Sequence, residues 1–249
     1  MVLPRAFALL RLLAEHSEGL NLSVIATNLE VPKSSLSSTL KALTDQGFLD
    51  RRGTLYFLGP EAYSLASTIL ARRSIRQIAR PFMEKTLEET GETVLLAELE
   101  PDRKSCAYID FVESDRSVRF AVAIGTRRPL YASAAGKVFL AFMSDAERAA
   151  YYDTVALEKR AERTITDRAV LEAELAQIRE TGIAVTTAEY SNDAAGFAAP
   201  LRNSDGSIVG VLSIGAPVSR GERKREEYIG AARRAAAAIS NVMGYSPTE

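Results

Sequence analysis

The chain has no tryptophan, one cysteine and one histidine in 249 residues. Each scarcity excludes a class of chemistry. A lone Cys106 cannot build an internal disulfide framework, and such sparing use of cysteine fits a reducing compartment. It has no histidine beside it in sequence to activate it, so it reads as a small buried apolar residue. The single histidine, His16, ends the first predicted helix, which argues against a Ser-His-Asp triad and against a histidine-rich metal site. No apolar run approaches the ~20 residues that cross a bilayer, and the N-terminus shows no apolar signal-peptide core. The expected location is therefore the cytoplasm, with no membrane contact. A net charge of −1 excludes a polycation that holds nucleic acid by bulk charge. Residues 1–73 nevertheless carry eight basic against six acidic side chains, which leaves the remainder acidic.

What is present is concentrated in residues 22–49. Leu22, Ile25, Ala26 and Leu29 repeat at helical spacing, and Pro32 breaks the pattern. Beyond it, Leu36, Leu40 and Leu43 form a second apolar stripe, while Ser34, Ser37, Ser38 and Lys41 repeat the same spacing on another face. Serine is a mediocre helix former, so Ser34, Ser35, Ser37 and Ser38 are an odd choice for a helix that needs only solubility. A small, polar, cationic face suits the floor of the DNA major groove. Residues 48–58 then predict a hairpin turning at Arg52-Gly53-Thr54, a wing with Arg51 and Arg52 near its tip. These features predict a winged helix-turn-helix in which Lys33, Lys41, Arg51 and Arg52 touch phosphates and the four serines lie near base edges.

The periodicity predicts a bracing helix over residues 4–16, a helical stripe from Pro60 and another starting at Ile75, with a domain boundary near Arg72-Arg73. The expected organisation is 1–59 for the DNA-binding domain, 60–73 for a linker helix and 74–249 for a second domain. There the pattern is mixed, an α+β arrangement. Strands are expected over 93–100, 105–112, 118–123, 183–188, 197–203 and 208–216. Helices are expected over 134–143, after a capping box at Ser144 to Glu147, over 167–181 ended by Gly182, and over 222–243.

Gly136-Lys137 is no phosphate loop, since Tyr131 and Val138 stand where glycine and Ser/Thr are required. The pairs Glu88-Glu89 and Glu226-Glu227 are helix neighbours that point apart. No catalytic residue, cofactor or metal is expected.

Five segments in order resemble the IclR family of bacterial transcriptional regulators: residues 31–36, 89–94, 129–137, 198–200 and 210–217. The resemblance covers nearly the whole chain. It implies an N-terminal winged helix-turn-helix, a linker helix and a C-terminal sensor-like, effector-binding domain. It further implies a pocket between Ala134 and Ala135 and the strands bearing Thr186, Gly196, Ser213 and Gly215, with Phe120 and Arg128 at its mouth. Thr186, Gly196 and Gly215 stand where other members can carry Asp, Cys and Ser, so the pocket is expected to be roomier and less acidic, and to hold a small organic acid. Two positions depart from the family: Ser38, where arginine is frequent, and Asp193, where glycine is common.

The expected protein is a ligand-responsive regulator of double-stranded operator DNA. A homodimer is expected, and dimer versus dimer of dimers stays open, as does repression versus activation. Two alternatives remain open as well: an enzyme acting on a small acid and carrying a DNA-binding domain, and a protein-interaction module that uses the winged domain.

Overall fold

The computed structural model of the chain describes residues 2–72 and 74–246. Arg73, at the end of the expected linker, lies outside the described residues. The chain divides into two compact units, Met1–Ser74 and Ile75–Glu249.

The first unit runs α1 (Val2–Ala14), β1 (Leu20–Asn21), α2 (Leu22–Asn28), α3 (Lys33–Asp45), β2 (Leu49–Arg52), β3 (Leu55–Leu58) and α4 (Pro60–Arg72). Asn21 caps α2 by accepting a hydrogen bond from the Val24 N–H at 3.0 Å. Pro32 stands at the N-cap of α3, where its missing N–H is no loss. Leu9, Leu13, Ile25, Leu36, Leu40 and Leu49 close a single core, so the apolar stripes of three helices meet there. β2 and β3 pair antiparallel with Arg52 opposite Leu55, leaving a two-residue turn. Gly53 takes φ +63° at the first turn position, as a type II′ hairpin requires. The two-residue β1, absent from the sequence-based expectation, completes the small sheet in the order β1-β3-β2.

The second unit contains α5 (Ile75–Thr90), β4 (Thr93–Leu99), β5 (Ser105–Val112) and β6 (Arg127–Pro129), followed by a 3-10 turn at Leu130–Ala132. Then come α6 (Ala134–Phe142), α7 (Asp145–Thr154), α8 (Arg168–Thr181), β7 (Ala184–Thr187), β8 (Ala194–Arg202), β9 (Ile208–Pro217), α9 (Val218–Arg223) and α10 (Arg225–Val242). The strands form one antiparallel sheet in the order β6-β5-β4-β9-β8-β7. Alternation along β4 sends Leu95 to one face and Leu96 to the other. On the Leu95 side the sheet packs against α6 and α8; on the Leu96 side it packs against α5 and α10. The alanines 231, 232, 235 and 236 keep the inner face of α10 small, so the helix lies close to the sheet. Local signals bound the helices as the sequence suggests: Ser144 and Glu147 form a reciprocal capping box that opens α7, and Gly182 ends α8 at φ +68°.

Two expectations are corrected. Residues 118–123 are not a strand. Two of their carbonyls go to side chains instead: Thr93 Oγ1 donates to the Phe120 carbonyl at 2.7 Å and Arg220 Nη2 to that of Val118 at 2.7 Å. The place beside β5 is taken by β6, with Ser105 opposite Pro129. The final helix is also not continuous from 222, because Lys224 (φ −111°, ψ 26°) separates α9 from α10.

Candidate functional site

In the first unit, α3 offers the surface. Leu36, Thr39 and Leu40 face inward, and Ser34, Ser37, Ser38 and Lys41 lie exposed along the opposite face together with Lys33. Ser35 is half-buried at the margin. The Ser37 hydroxyl donates back to the Lys33 carbonyl at 3.1 Å, which leaves its oxygen free to accept. On the wing, Arg51 Nε donates to the Gly53 carbonyl at 3.0 Å and its guanidinium lies 5.5 Å from the Tyr56 ring centre. Arg52 stacks on Phe57 and pairs with Asp50 at 3.0 Å. Arg51 therefore presents an uncompensated cation at the hairpin tip, whereas the charge of Arg52 is partly answered within the strand.

In the second unit, a small cavity of about 40 Å³ opens on the α6 side of the sheet. Seven residues named from the sequence line it: Phe120, Arg128, Ala134, Thr186, Gly196, Ser213 and Gly215. Ala135 does not. As the second residue of α6 its side chain turns into the core, and only its N–H faces the helix end.

Register explains the floor. Thr186, Gly196, Gly215 and Thr93 stand opposite one another across β7, β8, β9 and β4, so they share one face of the sheet. A Cβ at Gly196 would come within 3.0 Å of Ala134 Cβ and of Thr186 Oγ1. At Gly215 it would lie 2.6 Å from the Phe120 ring. The two glycines thus let α6 and the 113–126 segment settle onto the sheet. The extra room expected at Gly215 is filled by Phe120.

That segment is anchored by a carboxylate. Glu92, fully buried, accepts hydrogen bonds from Arg220 Nε at 2.5 Å, Arg116 Nη1 at 3.1 Å and the Tyr228 hydroxyl at 3.0 Å. Arg220 reaches the Val118 carbonyl with its other nitrogen, so the same cluster fixes the backbone two residues before Phe120. Glu92 draws its importance from partners 24 to 136 positions away, and no local pattern marks it.

The helix-end N–H groups and the Arg128 guanidinium give the cavity its strong donors. Ser133 caps α6, its hydroxyl accepting from the Gly136 N–H and its carbonyl from that of Lys137. The Ala134 and Ala135 N–H groups precede the first intrahelical bond and carry the positive end of the helix dipole. Arg128, half-buried on β6, lies 4.3 Å from the Tyr190 ring centre and 5.8 Å from that of Tyr108. It makes no ion pair among the described residues, and no Asp or Glu lines the cavity. Cys106 sits buried nearby, its thiol pushed up to about 12 by burial, as suits an inert core residue. Tyr108, Tyr190, Ser133 and Ser191 are pocket residues that the sequence did not single out.

The family model for the C-terminal domain of the bacterial transcriptional regulator IclR matches residues 67–241. That for the IclR helix-turn-helix domain matches residues 2–53. The chain belongs to the IclR family. It is similar to the HTH-type transcriptional regulator KipR of Bacillus subtilis, at 31% identity over 97% of this chain and 96% of that one. It is also similar to the transcriptional repressor IclR of Escherichia coli, at 29% identity over 88% of this chain and 80% of that one. The crystal structure of the Thermotoga maritima IclR superposes with a TM-score of 0.64 at 31% identity, covering 98% of both chains. An IclR-family transcriptional regulator with a DNA-binding helix-turn-helix is thus what this chain is, and its relatives are named as regulators and repressors rather than enzymes. Among the described residues no helix is long and apolar enough to cross a membrane.

Proposed function

We propose that this IclR-family chain is a cytoplasmic homo-oligomeric regulator that reads operator DNA with α3 and the wing, under control of a small organic acid in the second unit. The observation that carries the effector half is Arg128: a half-buried cation with no carboxylate partner among the described residues, set in the same cavity as the N-terminus of α6. Such a site is electrostatically incomplete, and a carboxylate completes it through charge-assisted hydrogen bonds. Tyr108, Phe120 and Leu95 supply the apolar walls for the body of the ligand.

On the DNA side, Lys33, Lys41, Arg51 and Arg52 contact phosphates, while Ser34, Ser35, Ser37 and Ser38 lie at the base edges. Residues 1–59 form the reading domain, 60–73 the linker and 74–249 the effector domain. Tyr63 and Leu65 of α4 are exposed, which supports burial of that helix against a second copy.

A thermal-shift panel of mono- and dicarboxylates on the purified protein, followed by calorimetry, tests the effector reading. At least one acid should stabilise the protein. Arg128→Ala should weaken that acid by about 10- to 100-fold, the worth of a hydrogen bond to a charged group. Equal affinity for both proteins would remove Arg128 from the site, and a panel with no stabilising acid would remove the effector reading.

A further inference from the structure

Lys137 follows Gly136 in a dipeptide that does not meet the phosphate-loop pattern, and the structure buries it completely. Its Nζ donates to both oxygens of Glu174 at 2.8 and 2.9 Å and to Glu189 Oε2 at 2.5 Å. An ammonium removed from water needs such partners, and removing one of them leaves a buried charge exposed to its full desolvation penalty. The location of the three groups gives the cluster its meaning. Lys137 lies in the first turn of α6, three residues after Ala134. Glu174 is on α8. Glu189 belongs to the turn between β7 and β8, immediately before Tyr190 and Ser191 of the cavity wall. That turn departs from ordinary backbone at Ala188, φ +54°, and Thr164 Oγ1 donates to the Glu189 carbonyl at 2.5 Å.

We propose that Lys137 is a positioning residue for the ligand pocket: its ammonium ties the helix end that carries the anion donors to the turn that carries Tyr190 and Ser191. The inference rests on the reading of the cavity as an effector site. It also accounts for a lysine that touches neither solvent nor the cavity.

The cluster carries a pH signature. Burial raises the Glu189 carboxyl to about 7 from its ordinary 4.5, against the opposing pull of Lys137. The charged groups around it are Lys137 from α6 and Glu174 from α8, with Arg163, Arg225, Glu226 and Arg233 lining the groove on its outer side. Arg163 is itself paired with Glu222 of α9. Opening the turn into water returns Glu189 to its ordinary range and releases a proton. Because the folded value is raised, the stabilising contribution is complete below about 4.5 and is lost as pH rises through about 7.

Hydrogen exchange on the full chain, read by mass spectrometry and corrected for intrinsic rates, tests this with wild type, Glu189→Gln and Lys137→Met. In wild type the opening of residues 188–194 should be about tenfold more populated at pH 8 than at pH 6. Glu189→Gln should abolish that difference. Lys137→Met should raise exchange in 188–194 and 134–138 while the central β4–β9 pair keeps its protection. The same pH dependence in Glu189→Gln as in wild type would overturn the proposal, as would a Lys137→Met effect spread evenly over the second unit. Should Lys137→Met fail to fold, Glu174→Gln, which alters the other partner of the ammonium, decides: exchange should rise in 134–138 and 188–194 with the central β4–β9 pair still protected, and an effect spread evenly over the second unit would overturn the proposal. No ligand enters these readouts, so their failure leaves acid binding in the pocket untouched, and a failed acid panel leaves the exchange result untouched in turn.

Discussion

Leu40→Ala is expected to lower the melting midpoint of the first unit by ten degrees or more, so that DNA binding is lost on heating well below the wild-type midpoint. Leu40 is 1% exposed at the centre of a core that three helices and the hairpin share. Truncating a buried leucine costs about 2–5 kcal/mol, part from lost burial and part from the cavity left behind. A unit of 74 residues holds only about 4–11 kcal/mol in total at the usual stability per residue. The substitution therefore removes about half of that reserve. For a domain of this size each kcal/mol shifts the midpoint by about 4–8 °C. Calorimetry should show the melting of this unit lowered by ten degrees or more, while acid binding by the second unit persists at low temperature. An unchanged thermogram would mean that the stripe of Leu36, Leu40 and Leu43 is not what holds the recognition helix in place.

The second large effect concerns charge. Replacing Lys33, Lys41, Arg51 and Arg52 together with alanine should reduce the slope of log affinity against log salt by about 3–4 per winged unit, since each phosphate contact contributes about 0.9. The single variants should not be equal. Arg51, with no acidic partner among the described residues, should account for nearly a full contact, whereas Arg52 already answers Asp50 and should account for less. Exposed ion pairs are weak, so the difference is one of degree. Phosphate contacts set affinity without reading sequence, so specific and unrelated duplexes should weaken together. Anisotropy titrations from 50 to 300 mM salt measure this directly. A slope unchanged in the quadruple variant would place the DNA on another surface.

Local signals made the first unit legible. The helical spacing of Leu36, Leu40 and Leu43, the break at Pro32 and the Gly53 turn are decided within a few residues, and the structure realises each one. The same holds for the capping box at Ser144 and for Gly182. The cavity residues were reached by a different route, through family-like segments rather than any pattern of their own. Across strands, the alignment of Thr186 with Gly196 and Gly215 depends on a sheet order that no sequence window contains. Residues 118–123 misled because alternation implies a strand only where a neighbour offers a backbone edge. Here Thr93 and Arg220 take the carbonyls of Phe120 and Val118 instead. Lys137 and Glu189, 52 positions apart, and Glu92 with Arg220, 128 apart, were invisible for the same reason. Buried charge is a property of the fold, and composition reports only that the charges exist.

Binding of the purified protein to the intergenic DNA beside its own gene, across a salt series and against an unrelated duplex of equal length, tests the central claim most directly. Salt-sensitive binding with a clear preference for the intergenic duplex is expected, lost in Leu40→Ala once the temperature passes its lowered midpoint. Equal, weak binding to both duplexes, unchanged by stabilising acids and followed by an acid-supplemented genomic selection that enriches no sequence, would contradict it.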